Sequence, residues 1–188
     1  SRTVEVPADA TFSFWTDYVI EADWDFGFVE VSTDGGATWA EQKVLDDDGN
    51  EITTPDGYAD PNGRMADFGD KKYGLTGTTE GWGHLNVDLS AFAGTTVDIR
   101  LRYATDPAFQ ERGWFADDFS ITSGGATVWS DDAETDGDWV PEVDSFTNTT
   151  GAGWHRDSGT SVRTHYYLAE YRTFDGFDAG LQYTYDST

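Results

Sequence analysis

The feature that most constrains this chain is the repeated alternation of apolar and polar residues along short segments. It recurs in TVEV, TFSF, FGFVEV, HLNVDL, TVDIRLRY, WFADDFSI, YYLAEY and LQYTY. A period of two places successive side chains on opposite faces of a strand, whereas a helix needs a period of about 3.6 residues. Turn sequences such as TDGGATW, TGTTEGWG and TSGGAT separate these segments. The sequence therefore predicts an all-β chain, folded as a two-sheet antiparallel sandwich of the jelly-roll type.

The length of 188 residues is close to that of one domain. Residues 1–124 are predicted to form the main β-sandwich. Residues 125–188 are predicted to add strands that complete this sandwich or start a second small β unit. The stretch from Asp46 to Tyr73 shows little periodicity, and a loop this long is usually functional or is ordered by something other than a core. A bound ion is one way to order it.

The charge excludes some classes of partner. The chain has 36 acidic and 11 basic residues, a formal net charge of -25. Nucleic acids and anionic membrane surfaces are therefore excluded, because both are bound largely through Lys and Arg. No apolar run approaches the roughly 20 residues of a membrane span. Because salt screens self-repulsion, the composition also predicts a protein suited to high or calcium-rich salt, as in halophilic proteins.

Two groups of carboxylates suggest a cation site. Glu21, Asp23 and Asp25 alternate just before an apolar strand, so in extended backbone they project from one side and repel one another unless they are solvated or bridged. Asp117 and Asp118 interrupt the apolar segment WFADDFSI, where one of two neighbouring residues is expected to face the core. With so few basic residues available, Ca²⁺ is the predicted partner of these side chains. A solvated loop edge is the alternative for the first group.

A second, weaker metal candidate lies in DDAETDGDW. Asp132, Glu134, Asp136 and Asp138 follow the first half of an EF-hand loop, but the twelfth position is Val143 instead of glutamate. An ordinary acidic turn is therefore the preferred interpretation. Zinc is disfavoured because the chain has no cysteine and its three histidines are scattered.

Signatures of catalysis are mostly absent from the sequence. His84, His155 and His165 are never four residues apart, so no HExxH motif exists, and there is no GxSxG motif, P-loop or GxGxxG motif. No enzyme activity is predicted for this segment. A hydrolase that uses a pair of carboxylates stays an open alternative, because so many acidic residues guarantee some pairs at a suitable separation. Trp39 and Trp82 lie near turns and are expected to be exposed. A carbohydrate-binding or adhesive module is therefore the alternative function.

Longer strings carry a family resemblance. The segments DWDFGFVEVSTDGGATW and YGLTGTTEGWGHLNVDLSAFAGTTVDIRLRYATDPAFQERGWFADDFSI resemble the non-catalytic β-sandwich of the immune inhibitor A family of secreted M6 metallopeptidases. WSDDAE and HYYLAEYRTFDGFDAGL resemble the stretch that follows it in that family. The STDGG and DD-containing strands are also shared with MAM-like and galactose-binding-like jelly rolls.

The resemblance implies a calcium-binding accessory domain of an exported zinc peptidase. The calcium role falls on Glu21, Asp23 and Asp25 in the first motif and on Asp117 and Asp118 in the second. The zinc-binding catalytic helix is absent from these residues, so the implied partner is a catalytic domain of the same parent chain, with a glycan or protein surface as a further partner. The implied location is extracellular, with the secretion signal outside this segment.

Overall fold

The computed structural model describes residues 1–109, 111–135, 137, 139–141, 153–154, 156 and 169–170. The strands in these ranges are β1 (Arg2–Glu5), β2 (Thr11–Ile20), β3 (Phe26–Ser32), β4 (Ala40–Glu41), β5 (Gly77–Thr78), β6 (Gly83–Asp88), β7 (Thr96–Ala104), β8 (Gly113–Ser123), β9 (Ala126–Asp131), β10 (Gly153–Trp154) and β11 (Ala169–Glu170). One helical turn, α1 (Arg64–Asp67), and a 3₁₀ turn, Ser90–Phe92, accompany them. No helix in the described ranges is long and apolar enough to cross a membrane.

The strands form two antiparallel sheets, which confirms the predicted all-β sandwich. The smaller sheet has the order β1-β7-β3-β4. The larger sheet has the order β10-β11-β8-β2-β5, with β6 also beside β2 and β9 also beside β8. Strands β9 to β11 thus belong to the larger sheet, but most of residues 142–188 lies outside the described residues. Whether 125–188 also starts a second unit stays a prediction.

The core between the sheets is built from the apolar positions of the alternating segments. Fully buried side chains of the larger sheet meet those of the smaller one: Phe12, Phe14, Leu85, Val87, Trp114 and Ile121 face Val29, Val31, Val97 and Ile99. The one polar atom of the Trp114 ring is satisfied there, because its Nε1 donates to Thr16 Oγ1 at 2.8 Å. A buried indole N–H without a partner would be costly.

The long segment 42–76 is ordered by its own packing, which the sequence analysis did not predict. Met65, on α1, packs against Phe26 and Phe28 on the outer face of β3, and Tyr58 and Phe68 complete this small apolar cluster. As a result, every residue of β3 is buried, on both faces. The segment therefore covers the outer face of the smaller sheet next to β3.

An ion cluster holds this segment to the sheet. The Glu30 carboxylate is completely buried and lies 2.8 Å from Lys71 Nζ, 2.6 Å from Arg100 Nε and 3.1 Å from Arg102 Nε. Arg102 also donates to the carbonyl of Phe68 at 2.9 Å. Burial alone would raise the pKa of Glu30, but Arg102, Lys71 and Arg100 outweigh it and hold the pKa below its usual value. Three of the chain's few cations are thus used to neutralise one buried acid.

The expectation that Asp117 or Asp118 faces the core is wrong, because β8 contains a bulge. Ser13 pairs with Ser120 while Trp15 pairs with Asp117, so β8 has one more residue than β2 between these two pairs. Asp118 has a φ of 48° and is exposed. The extra residue breaks the alternation and leaves both carboxylates off the core side.

Candidate metal centre

The first carboxylate group lies in a tight turn between β2 and β3, where the sequence analysis expected extended backbone. The amides of Trp24 and Asp25 both donate to the carbonyl of Glu21, at 3.2 and 3.0 Å. Asp23 has a φ of 65°, a left-handed conformation that Asp tolerates better than most residues. This turn brings the Glu21 and Asp25 side chains to the same place.

A third carboxylate joins them from the loop after β7. One carboxylate oxygen from each of Glu21, Asp25 and Asp106 lies within 4.8 Å of the other two. Asp25 accepts a hydrogen bond from the Asp106 amide at 2.9 Å and one from the Tyr103 hydroxyl at 3.2 Å. Asp106 is itself buried. The group, here called the Glu21 cluster, thus connects the β2–β3 turn with the β7–β8 loop.

The electrostatics of the Glu21 cluster are unfavourable without a counter-charge. Burial raises the pKa of Asp25 to about 7, although two hydrogen bonds oppose the shift and the charges of Asp106 and Glu21 add to it. The pKa of Glu21 is also raised, first by burial and then by Asp106 and Glu111. Within the described part of the chain, no Lys or Arg forms a salt bridge with any of these three acids.

The hydrogen bonding of the Glu21 carboxylate is incomplete among the described residues. Its Oε2 is buried and has no hydrogen-bond partner among the described residues. A buried charged oxygen without a donor is costly, so such an atom calls for a ligand. Two oxygens bound to the same Ca²⁺ at about 2.3–2.6 Å can be at most about 5 Å apart. The observed spacing meets this limit, so the three acids fit a calcium ion, with carbonyls and water as the remaining ligands.

Asp23, the middle residue of the predicted triplet, points elsewhere. Its carboxylate accepts a short hydrogen bond from the Tyr58 hydroxyl, and its carbonyl accepts one from Asn62 Nδ2 at 2.9 Å. Its amide donates to Thr76 Oγ1 at 3.0 Å. Asp23 therefore connects the turn to the covering segment 42–76, and its carboxylate is not part of the Glu21 cluster.

The second predicted group lies in another part of the larger sheet. Asp117 pairs with Trp15, six residues before Glu21 on the chain, so the two acids are about 20 Å apart along β2. One ion therefore cannot bind both groups. The pKa of Asp117 is raised to about 6, mainly by burial and to a smaller extent by the charges of Asp118, Glu134 and Asp132, against the hydrogen bond from the Asp118 amide.

Asp117 and Asp118 lie close to the weaker metal candidate, the acidic segment that follows β9. Asp118 and Asp132 line one shallow depression beside Ser130. Asp136 and Asp138 lie outside the described residues. As metal ligands, Asp117 and Asp118 and the weaker candidates Asp132 and Glu134 stay predictions, and any cation they bind is different from one bound by the Glu21 cluster.

The structure also shows where the tryptophans lie. Trp39 and Trp82, which were expected to be exposed, are half-buried. The Trp39 ring lies 4.1 Å from the Arg100 guanidinium, and its Nε1 donates to the Gly36 carbonyl. Among the described residues, the most exposed tryptophans are Trp15, at 42%, and Trp24, at 39%. Among the described tryptophans, Trp15 and Trp24 therefore offer more exposed ring surface than the two that the sequence suggested.

Asp106 is the residue of the Glu21 cluster that sequence analysis missed. The antiparallel register pairs Phe26 with Ala104. Continuing past this pair, Asp106 comes next to the residues that precede Phe26, including Asp25. The signal was thus an acid placed two residues after one strand and another placed directly before its neighbour, and it becomes visible only when the pairing of β3 with β7 is known.

Comparison with known proteins gives consistent matches. The model of the family described as "Immune inhibitor A-like, MAM domain" matches residues 1–151. The chain is 26% identical over 183 residues, or 96% of its length, to "Pre-pro-metalloprotease PrtV" of Vibrio cholerae serotype O1. It is 30% identical over 175 residues, or 93% of its length, to "Immune inhibitor A" of Bacillus thuringiensis subsp. alesti. It spans only 17% and 21% of these two relatives, respectively.

Proposed function

The chain belongs to the immune inhibitor A-like MAM domain family, and we propose that it is a non-catalytic, calcium-stabilised accessory domain of an extracellular metalloprotease. The family match agrees with the resemblance read from the sequence. Two relatives are named as a metalloprotease and as immune inhibitor A, and each is several times longer than this chain. If the parent chain is such a protease, the domain is exported with it, and its partner is the catalytic domain of the same chain.

One observation carries the calcium proposal. Glu21 Oε2 is buried without a hydrogen-bond partner in the described residues, and the Glu21 carboxylate belongs to a group of three that can each place one oxygen within 4.8 Å of the others. When bound, Ca²⁺ supplies two positive charges and six to eight coordination positions for oxygen. It would offset the burial and the repulsion that together raise the pKa of both Asp25 and Glu21.

The proposed role of the ion is to hold two loops together. Glu21 and Asp25 belong to the β2–β3 turn, and Asp106 belongs to the β7–β8 loop, 81 residues further along the chain than Asp25. Without a cation, the loops are joined by the hydrogen bond from the Asp106 amide, while the three carboxyl groups, two of them buried, repel one another when ionised. An ion that binds only the folded state adds stability by mass action, about 2.7 kcal/mol at one hundred times its dissociation constant.

Thermal unfolding of the 188-residue protein tests this proposal. The protein is stripped with EDTA, dialysed, and melted with millimolar CaCl₂, with MgCl₂ or with neither. We expect calcium to raise Tm by roughly 5–10 °C and magnesium to raise it far less, because Mg²⁺ demands a small octahedral site. Asp106→Asn should lose most of this increment, while Asp48→Asn, which removes one exposed charge, should keep it. An equal response of both variants would refute the proposal.

Terbium luminescence locates the ion, because Tb³⁺ replaces Ca²⁺ and is sensitised by a nearby indole. Trp24 lies in the turn that holds Glu21 and Asp25, and Trp129 lines the depression that holds Asp118 and Asp132. We expect Trp24→Phe to abolish most of the sensitised emission that calcium can displace. Emission lost only with Trp129→Phe would assign the ion to the second acidic group and remove the Glu21 cluster from the proposal.

A further inference from the structure

The outer face of the larger sheet carries a shallow depression that the proposed calcium role does not use. Six of the residues that line it are Thr11, Ser13, His84, Asn86, Ser120 and Thr122. They alternate with core residues such as Phe12, Leu85 and Ile121, so they lie on the side away from the core. The covering segment 42–76 packs on the other sheet at β3. It contributes one wall here, because Leu45 and Asn86 exchange two backbone hydrogen bonds of 2.8 Å.

The strand register arranges the polar side chains of this face in a row. Asn86 on β6 lies opposite Ser13 on β2, Ser13 lies opposite Ser120 on β8, and Ser120 lies opposite Ser130 on β9. Four strands at about 4.8 Å spacing make this row about 14 Å long. Ser13 itself is buried, at 4% exposure, so Asn86, Ser120 and Ser130 are the members of the row that a ligand can reach, over a distance greater than one small ring.

Side-chain hydrogen bonds fix the orientation of these groups. Ser13 Oγ donates to Asn86 Oδ1 at 2.8 Å, and Asn86 Nδ2 donates to Asp47 Oδ1 at 2.9 Å. The same Asp47 oxygen lies 2.6 Å from His84 Nδ1. These contacts fix the orientation of the Asn86 amide and the Asp47 carboxylate, so a ligand would meet a preorganised polar surface.

Trp15 distinguishes this face from an ordinary polar sheet surface. An antiparallel sandwich commonly has a solvated polar face. Here an indole that is 42% exposed lies between His84 on β6 and Asp117 on β8, with its ring centroid 5.4 Å from that of His84. The face thus combines a flat apolar ring, a row of small polar groups and a wall formed by another segment.

We propose that this depression binds a neutral oligosaccharide. The apolar face of a sugar ring would stack on Trp15, and its hydroxyl groups would donate to Asp47, Asp88 and Asp117 and exchange hydrogen bonds with Ser120 and Ser130. The charge selects the class of ligand. Three carboxylates face the depression or its rim against one histidine, so sulfated and uronic-acid glycans are repelled, whereas uncharged hydroxyl donors complement the acceptors.

Binding assays with matched tryptophan variants test the proposal. Laminarin, galactomannan and N-acetylchitohexaose serve as neutral probes and heparin as the anionic one, all in isothermal titration with saturating calcium. We expect saturable binding to at least one neutral probe and none to heparin. Trp15→Ala should weaken that binding about tenfold or more. Trp24→Ala removes an indole of similar exposure from the β2–β3 turn and should leave the binding unchanged.

Trp15→Phe guards against a folding artefact, because it keeps an aromatic ring and should retain most of the affinity. Near-ultraviolet circular dichroism of each variant checks the fold. If no neutral probe binds saturably, or if Trp15→Ala and Trp24→Ala weaken binding equally, the proposal is overturned. Saturating calcium in every titration keeps this result separate from the calcium proposal, which is judged by the stability of the protein and by terbium luminescence.

Discussion

Replacing Asp25 with asparagine is expected to stabilise the calcium-free protein at alkaline pH, although it removes a carboxylate that accepts two hydrogen bonds. Burial raises the pKa of Asp25 from 3.8 to about 7, so the folded state holds this proton more tightly than the unfolded state does. The stability from this group is complete below pH 3.8 and is lost as the pH rises to about 7. Asparagine has nearly the same shape and stays neutral, so the variant avoids this loss.

The size of the effect follows from the shift. Between 3.8 and about 7, the pKa difference corresponds to about 4 kcal/mol once Asp25 is fully ionised. Urea unfolding in excess EDTA measures it as the difference between the variant and the wild type. This difference should be small at about pH 4 and approach 4 kcal/mol in favour of the variant at about pH 8, which corresponds to roughly 10 °C in Tm.

Calcium should stabilise the wild type more than the Asp25→Asn variant and so work against the advantage of the variant. The wild type gains stability from the ion, and Asp25→Asn gains little, because an amide oxygen is a weaker ligand than a carboxylate. Asp48→Asn serves as the matched control and should change the free energy of unfolding by less than about 0.5 kcal/mol at every pH. If Asp25→Asn instead destabilises the metal-free protein at about pH 8, or if its effect does not vary with pH, then Asp25 is not the strained buried acid described above.

Three further outcomes are expected. Glu30→Gln should lower the free energy of unfolding by about 3–5 kcal/mol, because it leaves three cations facing a neutral group. Glu51→Gln, at an exposed pair with Lys43, should lower it by at most about 1 kcal/mol, and urea unfolding compares the two variants. Gly27→Ala places its Cβ 2.8 Å from Trp114 and should cost about 1–3 kcal/mol by the same assay, while Gly83→Ala meets open space and should cost less. Tm should rise from low to molar NaCl because salt screens the net charge of -25, and a flat Tm would contradict this.

The sequence predicted much of the fold because the signal for a strand is local. The alternating segments became β1, β2, β3, β6, β7 and β8. The same local rule failed at Asp118, where one extra residue in β8 changed the face of every side chain beyond it. It also failed for segment 42–76, since the contact of Met65 with Phe28 joins residues that are far apart in the chain.

The metal centre shows the same division. Glu21 and Asp25 were identifiable because they lie in one short acidic motif. Asp106 was not, because only the pairing of β3 with β7 brings it to them. The pairing of β2 with β8 also separates Asp117 from Glu21, which sequence reasoning had assigned to a single ion.

The sequence alone was therefore enough to identify the sandwich and the family. Only the tertiary structure decided which carboxylates share a site and that Trp15 and Trp24 are the exposed indoles instead of Trp39 and Trp82. The physical reason is that periodicity and composition belong to neighbouring residues. Repulsion among buried charges and the exposure of a ring depend on strand register and on the segments that pack over each face.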